Sequence, residues 1–64
     1  MGKGSGEHGT VGALRVETTL IGGHWEWRVI QNKKCIAHGK TMTSEDAKQR
    51  AEEAAGGKAE WTTS

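Results

Sequence analysis

From Ala13 onward the chain alternates: Leu14, Val16, Thr18 and Leu20 share one parity, and Arg15, Glu17, Thr19 and Ile21 share the other. A period of two over eight residues predicts a strand with one buried face. Gly22-Gly23 tolerates the positive φ of a primed turn, and His24 to Ile30 alternates again, with Trp25, Trp27 and Val29 set against Glu26, Arg28 and Ile30. Gln31-Asn32-Lys33-Lys34 reads as a polar turn and Cys35 to His38 as a third short strand. Residues opposite one another in a hairpin share a face, so the parities test the register. Pairing across Gly22-Gly23 sets Leu20 against Trp25, Thr18 against Trp27, Val16 against Val29 and Glu17 against Arg28. A two-residue or a four-residue turn at Asn32-Lys33 then sets Val29 against Ile36 and Trp27 against His38. The buried face so predicted holds Leu14, Val16, Leu20, Trp25, Trp27, Val29 and Ile36. The open face holds Arg15, Glu17, Thr19, Glu26 and Arg28, with Ile21, Ile30, Cys35 and Ala37 also pointing outward.

The segment after Met42 predicts a helix from about Ser44 to Ala55 that covers the apolar face. Thr43 or Ser44 is the expected N-cap, Glu45 and Asp46 suit the helix dipole, and Gly56-Gly57 ends the helix. Asp46 and Arg50 stand four apart, acid first. Ala47, Ala51, Ala54 and Ala55 make a stripe of methyl groups against which large indoles can lie. Residues 1–12 carry five glycines and no hydrophobic period, and are expected to form a flexible tail. Residues 58–64 read either as a short fourth strand or as a tail whose Trp61 covers the open end of the core. The predicted fold is therefore α+β: a three-stranded antiparallel β-meander packed on one C-terminal α-helix, within residues 13–57.

At 64 residues the chain encloses one small core, and ordering it costs roughly 100 kcal/mol, so burial must come largely from the three tryptophans. One cysteine excludes an intramolecular disulfide, and the absence of any long apolar run predicts neither a membrane span nor a secretion signal. A cytoplasmic location with a reduced thiol is expected.

The strand His24-Trp25-Glu26-Trp27-Arg28-Val29, Gly39 and the helix start Thr43-Ser44-Glu45-Asp46-Ala47 resemble the plant ethylene-response DNA-binding domain and the arm-binding domain of phage integrases. The resemblance covers Gly23 to Ala55. It implies an open sheet face that enters the major groove, with Arg28 and Arg15 as contacts. Those domains place arginine and tryptophan on the third strand's outer face, where this chain has Cys35 and Ala37. The same stretch is similar to the C-terminal half of double-stranded-RNA-binding domains, although Glu45 and Asp46 stand where that family has a phosphate-holding lysine pair. A strand-strand-strand-helix layout is also common among short proteins of phages and mobile elements.

Arg15 and Arg28 on the open face, with Lys33, Lys34 and Lys40 nearby, are the candidate nucleic-acid contacts, and Glu17 and Glu26 temper the charge of that face. An ordinary solvated face with a cross-strand Glu17–Arg28 pair explains the same residues. Ile21, Ile30, Cys35 and Ala37 are the candidate contacts of a protein partner, and a homodimer through them or through an edge strand would add burial to a small core. His8, His24, Cys35 and His38 are zinc-ligand types, but Cys35 and His38 fall on opposite faces and His24 lies remote, so no metal is expected. His38 is expected to be a partly buried neighbour of Trp27. No nucleophile-base pair or phosphate-binding glycine motif is visible, so the expected function is non-enzymatic binding without a cofactor.

Overall fold

In the computed structural model, which describes residues 6–63, the first hairpin follows from its turn. Gly22 and Gly23 adopt φ of 55° and 87°, the left-handed pair that a type I′ connection needs, and join β2 (Leu14–Ile21) to β3 (His24–Gln31). All four pairs expected from parity occur: Leu20 with Trp25, Thr18 with Trp27, Glu17 with Arg28 and Val16 with Val29. Asn32 and Lys33 take φ of 52° and 68° in a second two-residue turn that leads into β4 (Lys34–Thr41). The helix α1 (Ser44–Ala55) begins at Thr43, whose side-chain oxygen accepts the Asp46 N–H at 3.2 Å. It ends at Gly56, which is left-handed, with the Glu52 carbonyl accepting from both Gly56 and Gly57. Arg50 lies 4.0 Å from Glu53 rather than pairing with Asp46.

A further strand precedes this meander. Residues Gly6–Val11, expected within the flexible tail, form β1 antiparallel to β2, and residues 1–5 lie outside the described part of the chain. Gly9 is buried within β1, and a Cβ there would stand 2.5 Å from the Glu60 carbonyl oxygen. The residue that weakens the strand signal in the sequence is thus the one that lets the C-terminal segment lie against the strand. After α1 this segment passes over Gly9, packs Ala59 and Trp61 on the core, and adds the two-residue β5 (Thr62–Thr63) beside β1. The C-terminal segment thus combines a two-residue strand with a Trp61 packed against the core. The sheet order is β4-β3-β2-β1-β5, with four principal antiparallel strands and the helix on one face.

The second hairpin departs from its expected register. Ile30 opposes Cys35, but Val29 opposes Ala37, so Ile36 is the extra residue of a β-bulge and every later β4 residue changes face. Trp27 then stands opposite Gly39, where a Cβ would approach its Nε1 to 2.7 Å. A side chain such as His38 in that place would occupy the space of the indole, and the bulge supplies glycine instead. Four corrections follow. Ile36 is not core but 51% exposed, Ala37 leaves the outward patch to pack against the core, and His38 lies exposed opposite Arg28 instead of beside Trp27. Cys35 and His38 consequently share the open face.

Val16, Val29, Ala47 and Ala51 are fully buried, flanked by Leu14, Trp27, Ala55 and Trp61. Trp25 is half-buried and Ala54 exposed. Leu20, also expected in the core, is 41% exposed near the end of β2.

Candidate nucleic-acid interface

Strand alternation with Val16, Val29 and Ala37 turned to the helix directs the intervening residues away from it. Helix α1 and the segment after it pack on one face of the sheet, and among the described residues no element covers the other. The pairing lays its side chains in cross-strand rows. Lys40, Glu26 and Thr19 form one; His38, Arg28, Glu17 and His8 form the next; Cys35, Ile30, Arg15 and Thr10 form the third.

Polar pairing on this face follows the strands rather than crossing them. Glu17 opposes Arg28 yet accepts from Arg15 Nε at 2.7 Å, two residues along its own strand. Glu26 opposes Lys40 yet lies 3.2 Å from His24 Nε2, again two along. Both carboxylates of the face are therefore engaged within their own strands. Among the described residues neither Arg28, His38 nor Lys40 has an ion-pair partner, and all three are exposed. Lys33 and Lys34 are exposed at the turn joining β3 to β4. Four of the exposed cations in no ion pair among the described residues, Arg28, Lys33, Lys34 and Lys40, thus lie along one hairpin. From Lys34 to Lys40 this strip is about 20 Å long at roughly 3.3 Å per residue.

Of the expected nucleic-acid contacts, Arg28, Lys33, Lys34 and Lys40 come together on the β3–β4 hairpin, while Arg15 is engaged with Glu17 on β2. The signal for His38 was the run of small residues Ala37 and Gly39 at alternate positions: these fit beneath the helix and Trp27, which sends His38 and Lys40 outward.

The expected protein-contact set does not assemble. Ile30 and Cys35 are opposed in the row of Arg15, whereas Ile21 opposes His24 six residues farther along β2, about 20 Å away. Ala37 is on the other face. No group of three or more His, Cys, Asp or Glu able to hold a metal occurs among the described residues, and no helix among them is long and apolar enough to cross a membrane.

On the opposite side, an open groove of about 530 Å³ is lined by Gln49, Glu52, Glu53, Gly56, Gly57 and Lys58. Its Glu52 carboxylate accepts hydrogen bonds from the Ala59 N–H and the Trp61 Nε1–H, both at 3.0 Å. The Ala59 N–H, followed by the indole N–H and the nearby Lys58 and Lys48, holds that carboxyl below its ordinary range against the opposing effect of partial burial. Glu52 is thereby committed to fastening the C-terminal segment. Comparison with known protein families, curated proteins and solved structures finds no match to this chain.

Proposed function

We propose that this chain is a small, non-enzymatic, cytoplasmic binding module that contacts a nucleic-acid duplex through the open face of its sheet, chiefly along the β3–β4 hairpin. One observation carries the reading: Glu17 and Glu26 are engaged within their own strands, so Arg28 and Lys40 stand exposed without a carboxylate partner among the described residues. An exposed arginine whose obvious partner is occupied retains its five fixed N–H donors for phosphate or a base edge. A two-stranded ribbon also fits the major groove, which is about 12 Å wide. The chain's net charge is only +1, so the attraction is local to this hairpin rather than a property of the whole surface.

The test is a fluorescence-anisotropy titration of short labelled duplexes at two salt concentrations. Arg28, Lys33, Lys34 and Lys40 together engage three to four phosphates, which gives a slope of log affinity against log salt of about −3 to −4. Arg28→Glu lowers affinity about tenfold or more. Absence of binding at low salt, or binding that Arg28→Glu leaves unchanged, contradicts the reading.

A second reading, a protein-interaction module that includes the homodimer, is favoured by the outer edge of β4. Among the described residues that edge has no neighbouring strand, and Ile36 beside it and Met42 just after it are 51% and 78% exposed. Sedimentation that finds only monomer, in the wild type and in Ile36→Asp alike, removes the homodimer version.

A further inference from the structure

The bulge that carries Lys40 to the open face carries His38 with it, and nothing in the proposed contact so far uses the imidazole. His38 directly opposes Arg28 across the hairpin and stands two residues from Lys40 on the same strand and face. Opposed side chains in an antiparallel pair start about 5 Å apart, and neighbours two along a strand start about 7 Å apart. Three donor side chains therefore rise around one spot wide enough for a single phosphate group.

The charged and titratable groups facing that spot are few. Arg28 and Glu26 come from β3, with Glu26 directly opposite Lys40, and Lys40 and Cys35 lie along β4 on this face, while Lys34 pairs with Gln31 at the helix-side parity. On its other side β4 is the sheet edge, and no element among the described residues packs over this face. Glu26 is taken by His24 at 3.2 Å, and Glu17, one strand beyond Arg28, by Arg15 at 2.7 Å. His38 thus has cations nearby and no acid engaged with it. The other two histidines differ: His24 contacts Glu26, and His8 stands opposite Glu17.

We infer that Arg28, His38 and Lys40 form a cradle for one backbone phosphate, and that His38 must be protonated to complete it, so duplex binding takes up a proton and tightens as pH falls. Histidine is the side chain whose charge ordinarily changes between pH 5 and 8, and it donates from both ring nitrogens only as the cation. A phosphate seated between Arg28 and Lys40 lies beside the ring and favours its charged form. By linkage, whatever the phosphate does for the proton, the proton does for the phosphate. This inference rests on the nucleic-acid reading above and adds pH as its regulator.

The test measures duplex affinity at pH 8 and pH 6, at constant ionic strength and then across a salt series, for wild type, His38→Gln, His24→Gln and His8→Gln. All three histidines are on the open face, and circular dichroism checks that each variant folds. For the wild type, affinity rises about tenfold from pH 8 to pH 6, the gain of one charge-assisted contact. Its salt slope stays nearly unchanged, because the proton completes a contact to a phosphate that Arg28 and Lys40 already neutralise. His38→Gln shows no such rise and binds at pH 6 as the wild type binds at pH 8, while His24→Gln and His8→Gln keep most of the rise. A wild type that binds equally at both pH values overturns the cradle and leaves the duplex reading standing, as does His38→Gln retaining half or more of the rise. No binding at any pH overturns both.

Discussion

Replacing Glu52 with alanine removes one carboxylate and releases two donors, the Ala59 N–H and the Trp61 indole N–H, each 3.0 Å from the same oxygen. Those bonds hold the segment that crosses Gly9, so the loss extends to the packing of Trp61 on the core and to the pairing of β5 with β1. A hydrogen bond to a charged group contributes about 1.5–3 kcal/mol net. Glu52 is only partly buried, and water replaces some of what is lost, which lowers the expected sum to about 2–3 kcal/mol. A 64-residue domain has roughly 3–10 kcal/mol of stability in all, and the melting temperature falls by about 15–20 °C. Urea unfolding followed by tryptophan fluorescence measures this directly. Its pH dependence adds a second check. The carboxyl's value is lowered in the folded chain from its ordinary 4.5, so its contribution is complete above that value and disappears as pH falls through the lower, folded one. The gap between wild type and Glu52→Ala is therefore constant near neutrality and closes in acid. A midpoint unchanged by the substitution at pH 7, or a gap as large at pH 3 as at pH 7, would show that the carboxylate does not fasten the segment.

Other substitutions probe the bulge, the turn and the charge pairing. Gly39→Ala places a Cβ 2.7 Å from the Trp27 Nε1 and destabilises by about 1–3 kcal/mol, with a change in the near-ultraviolet signal of the displaced indole. Lys33 holds φ of 68°, so Lys33→Gly relieves a left-handed non-glycine residue and raises stability by about 1 kcal/mol in the same urea assay; a loss of stability would contradict the turn geometry. Glu17→Gln frees Arg15 and removes an acid from the open face, so duplex affinity rises several-fold and its salt slope steepens by about one contact; unchanged affinity would place the interface elsewhere.

How far the sequence discloses this molecule depends on where parity holds. Across Gly22-Gly23 alternation is unbroken on both strands and the register follows residue by residue, from Leu20 with Trp25 to Val16 with Val29. The helix with its Thr43 cap and Gly56 stop is legible for the same reason: each local signal agrees with the need to cover one apolar face. The third expected strand misleads because parity cannot register one added residue, and both turn lengths considered gave the same answer. What decides it is volume: Trp27 needs glycine opposite, and only a bulge at Ile36 brings Gly39 there. The strand β1 is hidden by its glycines, whose weak strand preference outweighs the eleven-residue reach over which Glu7 pairs with Thr18. In the candidate site, Arg28 and the turn lysines are visible from composition and parity. That Glu17 would pair with Arg15 along the strand, leaving Arg28 unneutralised, depends on side-chain geometry that alternation does not encode.

The central claim is that the face turned away from the helix, along β3 and β4, is the surface that meets a duplex. The most direct measurement is a ¹H-¹⁵N nuclear magnetic resonance titration of the labelled chain with a short duplex at low salt. The account predicts shifts concentrated at Arg28, Lys33, Lys34, His38 and Lys40, while Gln49, Glu53 and Lys58 on the helix side stay in place. Shifts centred on the helix side, or none at all, would contradict it.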